Sequence, residues 1–273
     1  MDENVLAALP ARLVPWFAAA KRDLPWRRDR EPYHVWVSEI MLQQTRVEAV
    51  VGYYDRFLKA LPDIRALADA PEDQLMKLWE GLGYYSRARN LQKAARQIME
   101  RHGGTFPRDA ADIRALAGIG DYTAGAIGSI CFEYPTAAVD GNVLRVVSRV
   151  TGSDAPIDKP ETKKKIGVDL SAVYPAGHCG DFTQSLMELG ATVCAPRGAR
   201  CGVCPLADIC AAKREDRVDA LPVKGEKRAR KIEERTVFFL EYEDKVAICR
   251  RPPRGQVGQR KRRQPRDVPQ PDR

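Results

Sequence analysis

Apolar side chains recur every three to four positions between residues 11 and 193, a period typical of amphipathic α-helices. Gly103 and Gly104 end the longest of the predicted helices, because glycine readily closes a helix C-terminus. The predicted helices cover residues 11–20, 33–42, 46–60, 71–81, 86–102, 109–117, 122–130, 143–150, 161–173 and 181–193. The pattern predicts an all-α fold for this part of the chain.

The pattern changes after residue 220. Residues 221–234 are polar and basic, which indicates a linker. Two short apolar runs within 235–254 flank Glu243 and Asp244 and predict a β-hairpin. Residues 255–273 are rich in Gly, Pro, Gln and Arg and have almost no apolar positions, which predicts a disordered basic tail.

The charge of the chain is concentrated near its end. The net charge is +8 and the pI about 9.2. Residues 250–273 hold nine Lys or Arg and two Asp, a net charge of +7, which leaves +1 for residues 1–249. The basic pI is therefore poor evidence that the helical part binds nucleic acid, and the motifs must carry that inference.

The seven cysteines and the hydropathy pattern indicate the cellular compartment of the protein. The N-terminus lacks the basic-then-apolar order of a signal peptide, and no apolar run approaches a membrane span. Cysteines in such a chain are more often reduced thiols or metal ligands than disulfides. We expect a protein of the cytoplasm, associated with the nucleoid if bacterial, without membrane contact.

Two glycines lie between the predicted helices 109–117 and 122–130. Gly118 and Gly120 flank one apolar residue, and glycines there tolerate positive φ and leave backbone N–H groups free for a phosphate oxygen. A tight helix–helix turn without a ligand is the simpler interpretation. Asp140, in the loop that follows the second helix, favours a functional one, because a carboxylate beside a DNA-binding hairpin is a candidate for chemistry on a nucleotide.

Glu39 interrupts a predicted helix that is apolar on most sides. Burial raises a carboxyl pKa toward the range that a general acid or base needs near neutral pH. The alternatives are that Glu39 projects to solvent or pairs with an arginine. Gln43 and Gln44 follow, with donors and acceptors for base edges or for a solvated turn. Thr45 and Glu48 predict a capping box for the next helix.

Four cysteines are closely spaced after the last predicted helix: Cys194, Cys201, Cys204 and Cys210. Four thiolates at such spacing can hold zinc or an iron–sulfur cluster. The spacing by itself leaves both possibilities open, although zinc sites more often use two Cys-x-x-Cys pairs and this segment has one.

Two motifs carry a family resemblance: Leu116-Ala-Gly-Ile-Gly-Asp-Tyr-Thr-Ala, and Val139-Asp-Gly-Asn-Val after a proline-containing loop. They resemble the helix-hairpin-helix DNA glycosylases, in particular the adenine-specific, MutY-type mismatch branch, and the likeness runs from about Leu13 to Val223. It implies an all-α, two-lobed glycosylase core with a [4Fe-4S] cluster on the four cysteines. Residues 1–28 and 135–220 would form the cluster-bearing lobe and residues 29–134 the helical-barrel lobe with the hairpin. Residues 235–254 would be the remnant of a truncated Nudix-like domain.

The resemblance also implies roles for single residues. Glu39 would protonate adenine, and Asp140 would stabilise the oxocarbenium-like sugar, with Tyr122 and Asn142 supporting the two carboxylates. Residues implied to contact the base or the DNA are Trp26, Arg27, Leu42, Gln43, Gln44, Tyr84, Gly118, Gly120 and Gln184. The expected protein is a monomeric glycosylase that hydrolyses the N-glycosidic bond of adenine opposite 8-oxoguanine or guanine in double-stranded DNA.

Two other functions fit part of this pattern. Glycosylases of the endonuclease III type, which act on damaged pyrimidines, share the hairpin and the cluster but carry a lysine nucleophile where this chain has Tyr122, and tyrosine cannot form a Schiff base. A non-catalytic iron–sulfur DNA-binding module would need only the hairpin and the cluster. The presence of both Glu39 and Asp140 favours an enzyme.

Overall fold

The computed structural model describes residues 3–225 and, further along the chain, residues 232, 234, 241–243, 245 and 246. Residues 3–225 lie within one compact unit, which confirms the predicted all-α core. Its helices are α1 (Glu3–Ala7), α2 (Leu9–Ala20), α3 (Pro32–Leu42), α4 (Val47–Ala60), α5 (Ile64–Asp69), α6 (Glu72–Trp79), α7 (Ser86–His102), α8 (Ala110–Ala115), α9 (Asp121–Phe132), α10 (Gly141–Thr151), α11 (Pro160–Ser171), α12 (Cys179–Thr192) and α13 (Ala211–Arg214). Two short 3₁₀ turns cover Pro25–Arg27 and Cys201–Val203.

Local residue chemistry explains several of the helix ends. Pro32 begins α3, where the missing N–H of proline costs no hydrogen bond. The Asp109 and Asp140 side chains cap α8 and α10 by accepting hydrogen bonds from backbone N–H groups. Gly103 ends α7 in the left-handed conformation with φ of 61°. Helices α1, α5 and α13 were not predicted, because each is too short to show a clear helical period.

The predicted capping box at the start of α4 is wrong. Arg46 occupies the N-cap position and makes no side-chain cap hydrogen bond. The Thr45 hydroxyl instead donates to the Gln43 carbonyl at 3.3 Å, because the chain makes an extra turn between α3 and α4. This turn carries Gln44 in the left-handed conformation with φ of 57°.

Two hydrophobic cores support this unit. The first is built mainly from α3 to α9, with Trp36, Phe57 and Trp79 fully buried in it. The second joins α1 and α2 to α10, α11 and α12. Helix α12 packs against α2, α9 and α10, and Met187 on it contacts both cores. This arrangement agrees with a two-lobed core, while the lobe boundaries at residues 28 and 135 stay predictions.

Only a few residues beyond 225 are described. β1 (Glu241–Tyr242) pairs antiparallel with β2 (Lys245–Val246), with Glu241 opposite Val246, inside the segment predicted as a hairpin. The rest of segment 235–254 and the predicted tail at 255–273 lie outside the described residues, as does most of the 226–234 part of the predicted linker. Among the helices of the described part, none is both long and apolar enough to cross a membrane.

Candidate active site

A cavity of about 330 Å³ gathers most of the predicted site residues. Its walls come from α3, α9, α12, the start of α10 and the Pro25–Arg27 turn. Predicted residues that line it are Trp26, Arg27, Glu39, Leu42, Gln43, Gln44, Tyr122, Asp140, Asn142 and Gln184. We call it the carboxylate cavity. Tyr84, Gly118 and Gly120 are not among its lining residues.

Glu39 lies in the middle of α3, which is buried on nearly all sides. Its side chain is only 6% exposed, and its Oε2 accepts a hydrogen bond of 2.7 Å from the Tyr122 hydroxyl. Burial raises the pKa of Glu39 to about 7; the nearby Asp140 adds to the rise, while the Tyr122 hydrogen bond and Arg27 oppose it. Glu39 thus neither projects to solvent nor pairs directly with an arginine, and much of it is protonated near neutral pH.

Asp140 has two structural partners. Its Oδ1 accepts the Val143 backbone N–H at 2.8 Å and so caps α10, and its Oδ2 accepts the Asn142 amide at 2.8 Å. Burial raises the pKa of Asp140, but these hydrogen bonds and Arg145 oppose the rise. The pKa of Asp140 is thus raised on balance, like that of Glu39, but Asp140 accepts two hydrogen bonds that favour its carboxylate form, whereas Glu39 accepts one.

A buried ion-pair group that sequence analysis missed lines the same cavity. Glu188 is fully buried and accepts hydrogen bonds of 2.7 and 2.8 Å from Arg22 and one of 2.8 Å from Arg27. Burial tends to raise the pKa of Glu188, yet the hydrogen bonds from the two arginines lower it to about 2. The sequence did hold one signal for Glu188. It lies four residues after Gln184 on α12, so the two side chains share one face of the helix.

Arg145 is a second missed residue. Its Nη2 donates to the Asn142 side-chain carbonyl at 2.8 Å and to the Gly190 carbonyl at 2.9 Å. Its Nε donates to the Cys194 carbonyl at 2.8 Å. One guanidinium thus joins the partner of Asp140 to the beginning of the cysteine segment.

The four closely spaced cysteines surround a second, smaller cavity of about 30 Å³, which we call the cysteine cavity: Cys194, Cys201, Cys204 and Cys210. All four are free thiols, and burial, with a smaller contribution from the other three, raises the pKa of Cys204 to about 11. In the described part of the chain, no three His, Cys, Asp or Glu residues are arranged to hold a single metal ion. Four thiols around one cavity are nevertheless the donor set of an iron–sulfur cluster, so these residues fit that group.

The two hairpin glycines differ in conformation. Gly118 has a φ of 78°, and a Cβ at this position would lie 2.7 Å from the Asn90 Cβ, so a larger residue would be both strained and crowded. Gly120 has a φ of −102° and forms the N-cap of α9, so it does not use the positive φ that glycine tolerates. No atom comes within 4 Å of a Cβ built on Gly120, which leaves this helix N-terminus open to solvent.

Comparison with known proteins shows which family a large part of this chain resembles. Residues 37–170 match the HhH-GPD superfamily of base excision DNA repair proteins. Over 234 residues the chain is 44% identical to the adenine DNA glycosylase of Homo sapiens, a stretch that covers 82% of this chain and 43% of the human protein. The chain thus spans less than half the length of this curated relative.

Solved structures show the same fold. A thermostable thymine-DNA glycosylase superposes with a TM-score of 0.71 at 28% identity, covering 78% of this chain and 98% of its own. Endonuclease III in a non-covalent complex with DNA superposes with a TM-score of 0.66 at 21% identity, covering 79% and 98%. These similarities confirm the predicted helix-hairpin-helix glycosylase core, and the second is evidence for the fold alone.

Proposed function

We propose that this chain, whose residues 37–170 belong to the HhH-GPD superfamily of base excision DNA repair proteins, hydrolyses the N-glycosidic bond of adenine in DNA. The observation that carries the proposal is the presence of Glu39 and Asp140 in one cavity, where burial raises the pKa of Glu39 to about 7 and two hydrogen bonds to Asp140 oppose the rise of its pKa. The cavity volume of about 330 Å³ lies within the range of ligand pockets, roughly 300–1,000 Å³. The 44% identity to a human adenine DNA glycosylase supports adenine as the base.

The first step of the proposed mechanism is proton transfer to the base. A base inside a duplex is out of reach, so the adenine must first leave the stack and enter the cavity. Glu39, protonated near neutral pH, then donates its proton to the adenine ring nitrogen N7, so that the base departs as a neutral molecule. Because the Tyr122 hydroxyl donates to Oε2, Oε1 is the oxygen that would carry the transferable proton.

The second step is hydrolysis at the sugar. As the C1′–N9 bond breaks, positive charge develops on the sugar, and the ionised Asp140 stabilises it by charge or by transient covalent capture. Water then supplies the hydroxyl at C1′ and its remaining proton restores the acid form of Glu39, which leaves an abasic site and free adenine. The hydrogen bonds from Val143 and Asn142 favour the ionised form of Asp140 that this step requires.

The remaining cavity residues would recognise the base and the DNA. Gln184 would meet the polar edge of adenine, and Trp26 and Arg27, of which Arg27 is held by Glu188, would form part of the wall of the pocket. Leu42, Gln43, Gln44 and Tyr84 would contact the bases around the extruded adenine, and the backbone around Gly118 and Gly120 would bind a phosphate.

The proposed substrate is double-stranded DNA with adenine opposite 8-oxoguanine or guanine, and the proposed active form is a monomer. Cys194, Cys201, Cys204 and Cys210 would hold a [4Fe-4S] cluster, whose contribution would be to cross-link the segment that follows α12. No step of the reaction passes through it.

Lyase chemistry of the endonuclease III type is disfavoured by Tyr122. A phenol cannot form the Schiff base that a lysine nucleophile would form with the sugar, so the proposed enzyme is monofunctional and leaves an intact abasic site. A DNA-binding module without catalysis would have no use for a buried acid with a pKa of about 7 in a cavity.

The test is an assay of base release on duplexes with one adenine opposite guanine, 8-oxoguanine or thymine. We expect release from the first two, with strand breaks only after alkali treatment. Absence of adenine release from all three duplexes would contradict the proposed function. A lysine-linked adduct trapped with borohydride would contradict the monofunctional mechanism.

A further inference from the structure

One buried arginine joins the two loops that carry Gln44 and Tyr84. Arg87 lies in the first turn of α7 and is only 9% exposed. Its Nη1 donates to the carbonyls of Ile40 (2.8 Å), Met41 (3.0 Å) and Gln43 (2.7 Å), and its Nη2 to those of Leu82 (2.9 Å) and Gly83 (3.3 Å) and to the Thr45 hydroxyl (3.4 Å). The first set belongs to the end of α3 and the loop after it, and the second mainly to the loop before α7.

These contacts leave Arg87 without an acidic partner among the described residues, since its acceptors are carbonyls and one hydroxyl. Its guanidinium also lies over the rings of Trp79 at 5.4 Å and Tyr84 at 5.9 Å. A buried cation is costly unless its hydrogen bonds are well satisfied. Here the Nη atoms are satisfied, in part by carbonyls at the C-terminal end of α3 to which no helix N–H is available, while the buried Nε has no hydrogen-bond partner among the described residues.

Both joined loops hold an exposed side chain on a strained backbone. Gln44 has a φ of 57° and Tyr84 a φ of 45°, a region that residues other than glycine rarely adopt. Tyr84 is 63% exposed, although a tyrosine usually buries its ring, and Gln44 is exposed at the rim of the carboxylate cavity. Strain of this kind persists only where the surroundings hold it, and Arg87 provides those contacts on both sides.

We propose that Arg87 is a positioning residue, which fixes Gln44 and Tyr84 at one spacing so that both enter the base stack together and keep the adenine extruded. The inference rests on the proposed function and names a residue that controls extrusion rather than bond cleavage. Side chains that separate stacked bases must withstand the free-energy cost of unstacking them. A loop free to move would yield instead of separating the bases, so the two side chains need a common rigid support.

The experiment measures extrusion apart from chemistry. In the Glu39→Gln background, which blocks base release, 2-aminopurine replaces the target adenine, and its fluorescence rises when it leaves the stack. We expect Arg87→Lys to reduce this rise by about tenfold, because one ammonium group cannot span both loops while the two bases must still be unstacked. The matched control is Arg96→Lys, since Arg96 also lies on α7 and donates to a single carbonyl, that of Ala68 at 2.9 Å. It should leave the rise unchanged.

A second readout separates positioning from folding. On a duplex with a tetrahydrofuran abasic analogue, Arg87→Lys should keep its affinity within about twofold, because no base has to leave the stack there. Parallel losses of melting temperature, abasic-site affinity and fluorescence would mean that Arg87 is merely structural and would overturn the inference. An undiminished fluorescence rise in Arg87→Lys would overturn it as well.

A second set of variants does not depend on the folding of an Arg87 variant. If Gln44 and Tyr84 act as one rigid pair, Gln44→Ala and Tyr84→Ala should each abolish most of the rise, and the double variant should be no worse than either. Independent, additive losses would overturn the inference. If the unsubstituted chain shows an Arg87-dependent rise but releases no adenine, the proposed function fails and the inference stands.

Discussion

The carboxylate cavity and the cysteine cavity differ in whether their functional groups belong to the chain or must be bound by it. In the carboxylate cavity, Glu39 and Asp140 each accept hydrogen bonds from donors of the chain itself. In the cysteine cavity, four free thiols surround a small space. Arg149 contacts two of them: its Nη1 donates to the Cys194 sulfur at 3.3 Å, and its backbone carbonyl accepts a hydrogen bond of 3.5 Å from the Cys210 thiol. The first site therefore holds its chemistry in protein side chains, while the second is suited to a group that the chain must bind.

The largest effect is expected in the cysteine cavity. Cys204→Ser should remove one ligand of the proposed cluster, and loss of a structural metal centre forfeits stabilisation on the order of 10 kcal/mol. The purified parent should contain iron and sulfide at about four each per chain, and the variant far less. Cys131→Ala, which changes a free cysteine outside the cavity, should keep both. Stoichiometric zinc in protein made with ample iron would contradict this prediction.

The next largest effect should follow from Asp140→Asn. Asparagine keeps the shape and the capping ability of aspartate, so α10 should remain intact, but the negative charge beside the sugar is lost. Single-turnover base release should fall by about 10³-fold, the upper size of such an electrostatic contribution. Asp109→Asn alters a matching cap on α8 and should leave the rate unchanged. Equal rates for the Asp140 variant and the parent would show that Asp140 only caps the helix.

Glu39→Gln tests the other carboxylate. Glutamine preserves the size of the side chain and can still hydrogen bond to Tyr122, but it has no proton to give to the base. Binding to adenine-containing duplex should persist while release falls by about 10²-fold or more. Gel-shift and single-turnover assays on the same duplex measure the two quantities. Release at the parental rate would remove Glu39 from the mechanism.

A smaller effect is expected on the pH dependence. Because the pKa of Glu39 is about 7 and the acid must be protonated, release should fall by about tenfold per unit above 7. Release should also fall at acid pH, where Asp140, whose pKa is raised by burial, loses the charge that the second step requires. The Tyr122 hydrogen bond lowers the pKa of Glu39, so Tyr122→Phe should move the falling limb above 7 to higher pH. The measurement is the rate of release at several pH values on one duplex, for the parent and for Tyr122→Phe. A shift of the falling limb to lower pH in the variant would contradict the prediction.

The residues that the sequence identified stand out locally. Glu39 is a charge in an apolar helix, and the four cysteines have a spacing that is hard to mistake. The missed residues depend on partners that are distant in sequence: Arg22 meets Glu188 166 positions away, and Arg87 meets Ile40 47 positions away. In the sequence these charges look like the solvated faces of amphipathic helices. Only the packing of α3, α7 and α12 shows that Glu188 and Arg87 are buried.

The position of Asp140 in the chain has a consequence for temperature. Ala138 is buried in the first hydrophobic core, and Val143 in the second, so Asp140 lies where the chain crosses between them. Glu39 moves with the first core, whereas Asp140 is fixed to α10 of the second. Warming that loosens the contact between the cores would change the distance between the two carboxylates before any helix unfolds. On heating, adenine release should decline several degrees below the midpoint of the helical circular dichroism signal, and coincident loss of both would mean that the cores move as one.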